Sequence, residues 1–269
     1  MGTKVIGMSV QGASHKRAGK ECQDINKHLV LGDAVILAVA DGHGSQSCPF
    51  SKTGAIIAVN VFCKLMADYY SKYTTDMTTL MTYLNREGDT AVARAIDEEW
   101  KRRVEKAHVT NKREIPKNES DEISKPDIWK QYGSTLLGLL ITPSFYFAFQ
   151  LGDGDALFIN DSNAEFAVRG DKLLGIETFS LSRIDAWKNA ITKVGYLPER
   201  NSSHIFMLAT DGFSNSYSSE EAFLKTCVDY HTAIREHGVD AVSDNLKTWL
   251  NETSEKGSGD DITVMFAIM

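Results

Sequence analysis

The stretch AVILAVADGHG, residues 34–44, changes within one residue from an uninterrupted apolar run to an Asp-Gly pair. Its first seven residues are apolar on both faces, which is typical of a β-strand covered on each side. Asp41 and Gly42 come directly after this run. We therefore predict a buried strand over Ala34–Ala40 that ends at a carboxylate.

Acidic residues lie beside the ends of other apolar runs as well, at Asp153, Asp211, Asp260 and Asp261. Asp and Gly are common in turns, so each position alone has an ordinary structural explanation. If the strands share one sheet system, however, these carboxylates converge at one edge and raise each other's pKa by repulsion. A hard divalent cation such as Mg²⁺ or Mn²⁺ removes that cost and prefers oxygen ligands.

The rest of the chain alternates strand-like and helix-like patterns. Further strands are predicted at Lys4–Val10, Thr135–Ile141, Phe145–Leu151, Ala156–Ile159, His204–Ala209 and Ile262–Ile268. Helices are predicted over Ala55–Lys72, in a segment ending near Ala107, after the capping box Ser218-x-x-Glu221, and around Val239 to Trp249. No shift in composition divides the chain, so we expect one domain over residues 1–269: a mostly antiparallel double sheet flanked by helices, with an exposed polar loop near residues 110–127.

Composition and charge exclude several classes of protein. With 29 Lys and Arg against 36 Asp and Glu, the formal net charge is −7. Nucleic-acid-binding domains normally carry a basic surface, so we expect no nucleic-acid partner. No apolar run approaches the ~20 residues needed to cross a bilayer, so we expect no membrane partner. Four widely spaced cysteines without a secretory leader favour reduced thiols in the cytoplasm.

Several segments, in this order, resemble the motifs of the metal-dependent (type 2C, PPM-type) serine/threonine protein phosphatases. They are Ala40-Asp41-Gly42-His43-Gly44, Tyr132-Gly133-Ser134-Thr135, Gly152-Asp153, Ala209-Thr210-Asp211-Gly212 and Asp260-Asp261-Ile262-Thr263. The opening segment, from Gln11 to Asp24, is similar to the first motif of bacterial members. The likeness runs from Gly7 to Met269, which is nearly the whole chain.

This resemblance implies an α-β-β-α sandwich, of α+β class, in which two mainly antiparallel sheets are flanked by helices. It also implies a site for two Mg²⁺ or Mn²⁺ ions, with a third, weaker ion in many members. By the same likeness the metal ligands are Asp41 between the ions, the Gly42 carbonyl, Asp211, Asp260 and, for the additional ion, Asp153. Asp24 would bind metal-bound water, and the nucleophile in this family is a water held between the ions.

Two further roles follow from the resemblance and from side-chain chemistry. His43 is placed to protonate the leaving oxygen of the substrate, although it could equally hydrogen-bond a neighbouring carboxylate. Arg17 is our candidate for binding the substrate phosphate, because a guanidinium binds phosphate bidentately; the alternative is a solvated surface side chain. The chain departs from the family pattern at Gln23, where many members have Glu, and at Asp261, where Asn is common.

The first functional hypothesis is therefore hydrolysis of phosphoserine or phosphothreonine in a protein substrate, opposed by a cognate Ser/Thr kinase. A second is a catalytically weak or inactive module of the same fold that binds or senses a partner. A third is a two-metal nuclease or a hydrolase of small phosphoesters, because the metal chemistry is shared. The acidic charge disfavours a nuclease.

Overall fold

The computed structural model describes residues 3–117, 121–161, 163–169, 179–197 and 204–269. Its strands are β1 (Lys4–Val10), β2 (Ile25–Leu31), β3 (Ala34–Ala40), β4 (Leu136–Ile141), β5 (Phe145–Leu151), β6 (Asp155–Ile159), β7 (Ala164–Val168), β8 (Ile191–Tyr196), β9 (Ile205–Ala209) and β10 (Ile262–Ile268). They form two five-stranded antiparallel sheets, in the orders β1-β10-β9-β6-β7 and β2-β3-β4-β5-β8.

The helices cover the outer faces of the two sheets. They are α1 (Ala13–Arg17), α2 (Ser51–Lys72), α3 (Met77–Glu87), α4 (Ala93–Thr110), α5 (Lys125–Lys130), α6 (Asp211–Ser214), α7 (Glu220–His237) and α8 (Val239–Lys256). A π-helical turn over Gly88–Val92 joins α3 to α4. Helix α2 packs on β2 and β3, whereas α7 and α8 pack on the sheet that contains β1. The predicted sandwich of two antiparallel sheets between helices is confirmed.

Strand β3 shows why both faces of its sequence are apolar. Ile36 points outward into a core shared with Phe62 of α2 and Trp100 of α4. Its neighbour Leu37 points inward and packs with Met265 of β10 in the layer between the sheets. All seven β3 residues are buried. Successive side chains of a strand enter opposite cores, so a central strand of a sandwich needs apolar residues throughout.

The main strand predictions agree with the structure to within one residue at either end. The pattern missed β2, β7 and β8, which all lie at sheet edges and whose apolar runs are interrupted by exposed or partly exposed residues. It also missed α3. The predicted cap Ser218 is wrong by one residue, since Ser219 Oγ accepts the hydrogen bond from the Ala222 N–H at 3.2 Å.

The polar segment near residues 110–127 joins α4 to α5. Residues 118–120 lie outside the described part of the chain, and Lys117 and Ile123 on either side form an antiparallel bridge. Most side chains described in this segment are exposed, but the Arg113 guanidinium lies 3.3 Å from the centre of the Phe50 ring. None of the helices in the described ranges is both long enough and apolar enough to span a bilayer.

Candidate active site

Asp41 lies at the end of β3 and is fixed through its backbone. Its N–H donates to Thr135 Oγ1 at 2.9 Å, and the Thr135 N–H donates back to the Asp41 carbonyl at 2.9 Å. Thr135 directly precedes β4, the neighbour of β3 in the sheet. The segment Gly133-Ser134-Thr135 therefore holds the first acidic residue in place, and the carboxylate stays available for other contacts.

Gly42 allows helix α2 to approach this strand end. It forms an isolated bridge with Ser134, and a Cβ atom at this position would lie 2.8 Å from the carbonyl carbon of Ser51. Ser51 is the first residue of α2. Any larger residue would push the helix away, so the glycine is explained by packing and its carbonyl remains beside Asp41.

Asp211 is brought to the same place by the pairing of β9 with β10. The Thr210 N–H donates to the Thr263 carbonyl at 3.0 Å, and the Thr263 N–H donates to Thr210 Oγ1 at 2.9 Å. Asp211 follows as the first residue of α6. A Cβ at Gly212 would lie only 2.1 Å from the Asp261 carbonyl oxygen, so this glycine permits the segments before β10 and after β9 to touch.

Asp24 is a deeply buried acidic side chain, with 3% of its surface exposed. Its Oδ2 accepts a hydrogen bond from Thr210 Oγ1 at 2.7 Å, whereas its Oδ1 is buried without a donor. Burial raises the pKa of Asp24 to about 7, and the nearby charge of Asp261 adds to the shift. The charge of Asp24 also raises the pKa of Asp41, so the two carboxyl groups lie close together.

The electrostatics show that the acidic side chains from distant motifs converge. Burial raises the pKa of Asp41 well above its ordinary value, and the charges of Asp24, Asp211 and Asp260 raise it further. Burial likewise raises the pKa of Asp211 to about 7, with Asp153 and Asp260 as the largest charged contributors. Asp41 and Asp153 therefore both lie close enough to Asp211 to interact with it, and all three belong to one acidic centre.

The chemistry of this centre fits a hard divalent cation. Its donors are carboxylate oxygens, and the Asp24 Oδ1 atom is buried and lacks a hydrogen-bond donor. Across the described ranges, however, no three or more His, Cys, Asp or Glu side chains stand in a ready-made ion-binding arrangement. The carboxylates would have to draw closer around an ion to coordinate it.

His43 lies one residue beyond Gly42, at the rim of the acidic centre. The backbone N–H of His43 donates to the Gly133 carbonyl at 3.2 Å. Its ring lies against the same residue, because a Cβ at Gly133 would be only 2.6 Å from His43 Cδ2. The side chain is half-buried and packs against Gly133.

Arg17 is exposed at the end of α1, where its guanidinium donates to Ser14 Oγ at 3.1 Å. Helix α1 lies against the segment before β10, and the Ser14 N–H donates to the Gly259 carbonyl at 2.8 Å. His15, on the same helix, has its Nε2 3.8 Å from Asp260 Oδ1. The helix that carries Arg17 therefore borders the acidic centre.

Asp261 has a role that the sequence did not indicate. It is 3% exposed, and its carboxylate accepts hydrogen bonds from the Gly12 N–H at 2.6 Å and the Gln23 N–H at 2.7 Å. His15 Nδ1 lies 2.9 Å from its Oδ1. The buried Asp261 carboxylate thus holds both ends of residues 12–23, the first loop of the chain. The motif comparison marked Asp261 only as a departure, and no local signal pointed to His15.

Gln23 also has a structural partner. Its side-chain carbonyl accepts a hydrogen bond from Ser51 Oγ, and the Ser51 hydroxyl in turn accepts from the Gly44 N–H at 3.3 Å. The amide therefore links the first loop to the start of α2. This contact explains an uncharged residue at the position, because a carbonyl oxygen suffices to accept a hydroxyl proton.

Comparison with solved structures identifies the fold at low sequence identity. The chain is similar to the serine/threonine phosphatase Stp1 of Staphylococcus aureus, with 12% identity, a TM-score of 0.62, and coverage of 100% of this chain and 96% of that one. A serine/threonine phosphatase of S. agalactiae gives 13%, 0.60, and 98% of both chains. A C. elegans sex determining protein gives 14% and 0.59, with 100% of this chain and 65% of that one.

Curated protein sequences give no match to the chain. The family model for protein phosphatase 2C matches residues 11–251. That range includes the first loop, the strand ends of β3, β5 and β9, and helix α7. Because the match spans most of the sequence and the fold agrees with the solved phosphatases, the chain belongs to the protein phosphatase 2C family.

Proposed function

We propose that this protein hydrolyses phosphoserine and phosphothreonine in protein substrates, in one phosphatase domain over residues 1–269, with Mg²⁺ or Mn²⁺ as cofactor. The convergence of acidic side chains from separate strand ends, in a chain of the protein phosphatase 2C family, carries this proposal. Two of the solved structures that share its fold are described as serine/threonine phosphatases, which supports the same reaction class.

The acidic centre would hold the ions through oxygen donors. We assign Asp41, the Gly42 carbonyl, Asp211 and Asp260 as the groups that would hold the two ions. Asp153 would hold an additional ion, and the Asp24 carboxylate would accept a hydrogen bond from water at the site. A pair of bound divalent cations supplies positive charge for the phosphate and lowers the pKa of the attacking water.

The remaining steps depend on this chain's own side chains. A serine or threonine leaving group needs a proton as the phosphate ester bond breaks, and we assign that proton to the His43 imidazole. Arg17 would orient the phosphate through its planar guanidinium. No side chain is needed as nucleophile, because water attacks the phosphorus directly.

The test is turnover by the purified full chain on a phosphothreonine peptide and on p-nitrophenyl phosphate, with Mn²⁺ present. We expect hydrolysis of both, complete loss with a chelator, and recovery when Mn²⁺ is restored. The variant Asp41→Asn should be inactive. Asp68→Asn is the matched control, because Asp68 is an exposed acid of α2 whose partner is Lys64.

Other outcomes separate the alternatives. Activity that survives chelation would contradict the metal-dependent proposal. Absence of both Mn²⁺ binding by calorimetry and turnover would instead favour a module that binds or senses a partner. Faster cleavage of single-stranded DNA than of the phosphopeptide would favour a nuclease. The opposing kinase and the cytoplasmic location stay predictions.

A further inference from the structure

A cavity of about 500 Å³ lies between α7 and α8, on the outer side of the sheet that contains β9 and β10. Cavities of roughly 300–1,000 Å³ accommodate small organic ligands. None of the residues assigned above to metal, phosphate or proton transfer lines it. It is therefore a second concave site, separate from the acidic centre.

Three aromatic rings form much of the wall of this cavity, those of Tyr217, Tyr230 and Trp249. The Tyr230 and Trp249 rings meet at 60° with their centroids 5.8 Å apart, so they form a corner. Tyr230 is nearly buried and packs on Phe266, which fixes its ring. Trp249 keeps 36% of its surface exposed, so the corner is open to solvent.

The charged groups that line the cavity are Asp229, Glu252 and Lys256, with a formal sum of −1. Each acid has a lysine partner one helical turn away, at 2.8 Å for Lys225 and Asp229 and at 2.9 Å for Lys256 and Glu252. All four side chains are more than half exposed, and ion pairs in that setting exchange easily with other partners.

The tyrosines add no negative charge of their own. Burial raises the pKa of Tyr217 and of Tyr230 above the ordinary value for a phenol. Both therefore stay neutral at physiological pH, and the faces of such rings carry the negative end of the ring quadrupole. The cavity thus combines three aromatic rings with two carboxylates and one lysine.

We propose that this cavity binds a small organic cation with an apolar body, of the quaternary ammonium class. Ring faces attract such cations, and weak hydration lets their methyl groups enter an aromatic corner. Asp229 and Glu252 supply the opposite charge at the rim. The overall charge of −7 favours approach of a cation.

The far side of the cavity is connected to the segment that carries Asp260. Ser216 lines the cavity, and its hydroxyl donates to the Gly212 carbonyl at 2.7 Å and accepts from the Ser258 N–H at 3.2 Å. Ser258 Oγ accepts in turn from the Asp260 N–H at 3.2 Å. A bound cation is therefore expected to slow hydrogen exchange of the Ser258 and Asp260 amides.

The test is titration of the full chain with choline, without metal or substrate, followed by nuclear magnetic resonance of the tryptophan indole N–H groups. We expect saturable shifts of the Trp249 signal, assigned through Trp249→Phe, and upfield shifts of the choline methyl protons. The neutral isostere 3,3-dimethylbutan-1-ol should bind at least about tenfold more weakly. Equal affinity for the two molecules, or an unchanged Trp249 signal, would overturn the proposal.

Variants separate charge from packing. Asp229→Asn and Glu252→Gln should each weaken choline binding several-fold, whereas the matched control Asp68→Asn, which also removes an exposed acid with a lysine one turn away, should leave it unchanged. Equal effects of Asp229→Asn and Asp68→Asn would contradict a local role of the carboxylate. Because no metal or substrate is present, this experiment can fail while the phosphatase proposal stands.

Discussion

The strand-end carboxylates and the helix that carries Arg17 border on one another, yet the fold holds them differently. Asp41 is fixed by two backbone hydrogen bonds to Thr135, and Asp24 is buried against Thr210. Asp41 directly follows the central strand β3, and Asp24 directly precedes the neighbouring edge strand β2. Their positions follow from the sheets and do not depend on their own charge.

Helix α1 has only five residues, and none of them is buried. It is held by the Gly259 carbonyl and, through Gly12 and His15, by the single carboxylate of Asp261. At the strand ends, a carboxylate can therefore lose its charge while the backbone around it keeps its position. In the first loop, the charged Asp261 carboxylate itself maintains the structure. Substitutions should therefore remove chemistry in one region and structure in the other.

The largest expected effect is that of Asp41→Asn. We expect phosphatase activity to fall by about a thousandfold or more, the scale on which loss of one preorganised electrostatic contact affects turnover. The fold should persist, because burial and neighbouring charges already disfavour the ionised side chain and the amide is neutral. Activity assays and thermal unfolding check the two expectations. An unfolding midpoint below that of the wild type would show that the Asp41 charge is also needed for the fold.

His43→Ala should have the next largest effect, and it should depend on the leaving group. Loss of a general acid typically costs about a hundredfold or more. We expect that loss with a phosphothreonine peptide, whose alkoxide needs a proton, and a much smaller one with p-nitrophenyl phosphate, whose phenolate leaves unprotonated. An equal loss with both substrates would assign His43 a structural role, through its contact with Gly133.

Asp261→Ala tests whether the first loop depends on the Asp261 carboxylate for its structure. The substitution strands two backbone N–H groups, of Gly12 and Gln23, and we expect a loss of about 2–4 kcal/mol in the free energy of unfolding. Asp261→Asn keeps one acceptor oxygen and should lose clearly less. Urea denaturation of the two variants gives the comparison. If the alanine variant were as stable as the wild type, the first loop would not depend on this carboxylate.

The central strands could be predicted from the sequence because burial on both faces makes every residue of such a strand apolar. Ala34–Ala40 faces two cores, so every residue is apolar and the pattern is unambiguous. Strand β8 lies at a sheet edge, mixes exposed with partly buried residues, and gives no such pattern. Helix α3 was missed although its sequence carries local signals: Asp76 caps it by accepting from the Thr79 N–H, and Met77, Leu80, Met81 and Leu84 recur at helical spacing.

The acidic residues of the candidate site could be found from sequence, whereas their supporting contacts could not. Asp41 and Asp211 stand beside glycines at the ends of apolar runs, which is a local signal. The contact between His15 and Asp261 joins positions 246 residues apart (261 − 15). No period or motif encodes such a pair, since only the packing of α1 against the segment before β10 brings the two together.

The effect of Mn²⁺ on stability should depend on pH. Asp24 and Asp211 have pKa values near 7 in the folded chain, against an ordinary value of 3.8. Between these values the folded state keeps protons that the unfolded state has lost, so without metal its stability falls as pH rises towards 7 and is level above that. A bound cation displaces those protons. We therefore expect Mn²⁺ to raise the melting temperature more at about pH 8 than at about pH 5. Equal increases at both pH values would contradict this.

The smallest effect should be that of Arg17→Ala, which tests the exposed helix α1 and not the buried strand ends. Because Arg17 is exposed and, within the described part of the chain, its side chain hydrogen-bonds only Ser14, its removal should leave the unfolding midpoint unchanged. If it binds the phosphate, KM for the phosphopeptide should rise about tenfold with kcat little altered, and Arg17→Lys should recover part of the loss. Lys16→Ala is the matched control, since Lys16 is an exposed neighbour on α1 that donates to Asn251. Equal increases in KM for the two alanine variants would mean that the first loop attracts the phosphate only through its overall positive charge, without a specific guanidinium contact.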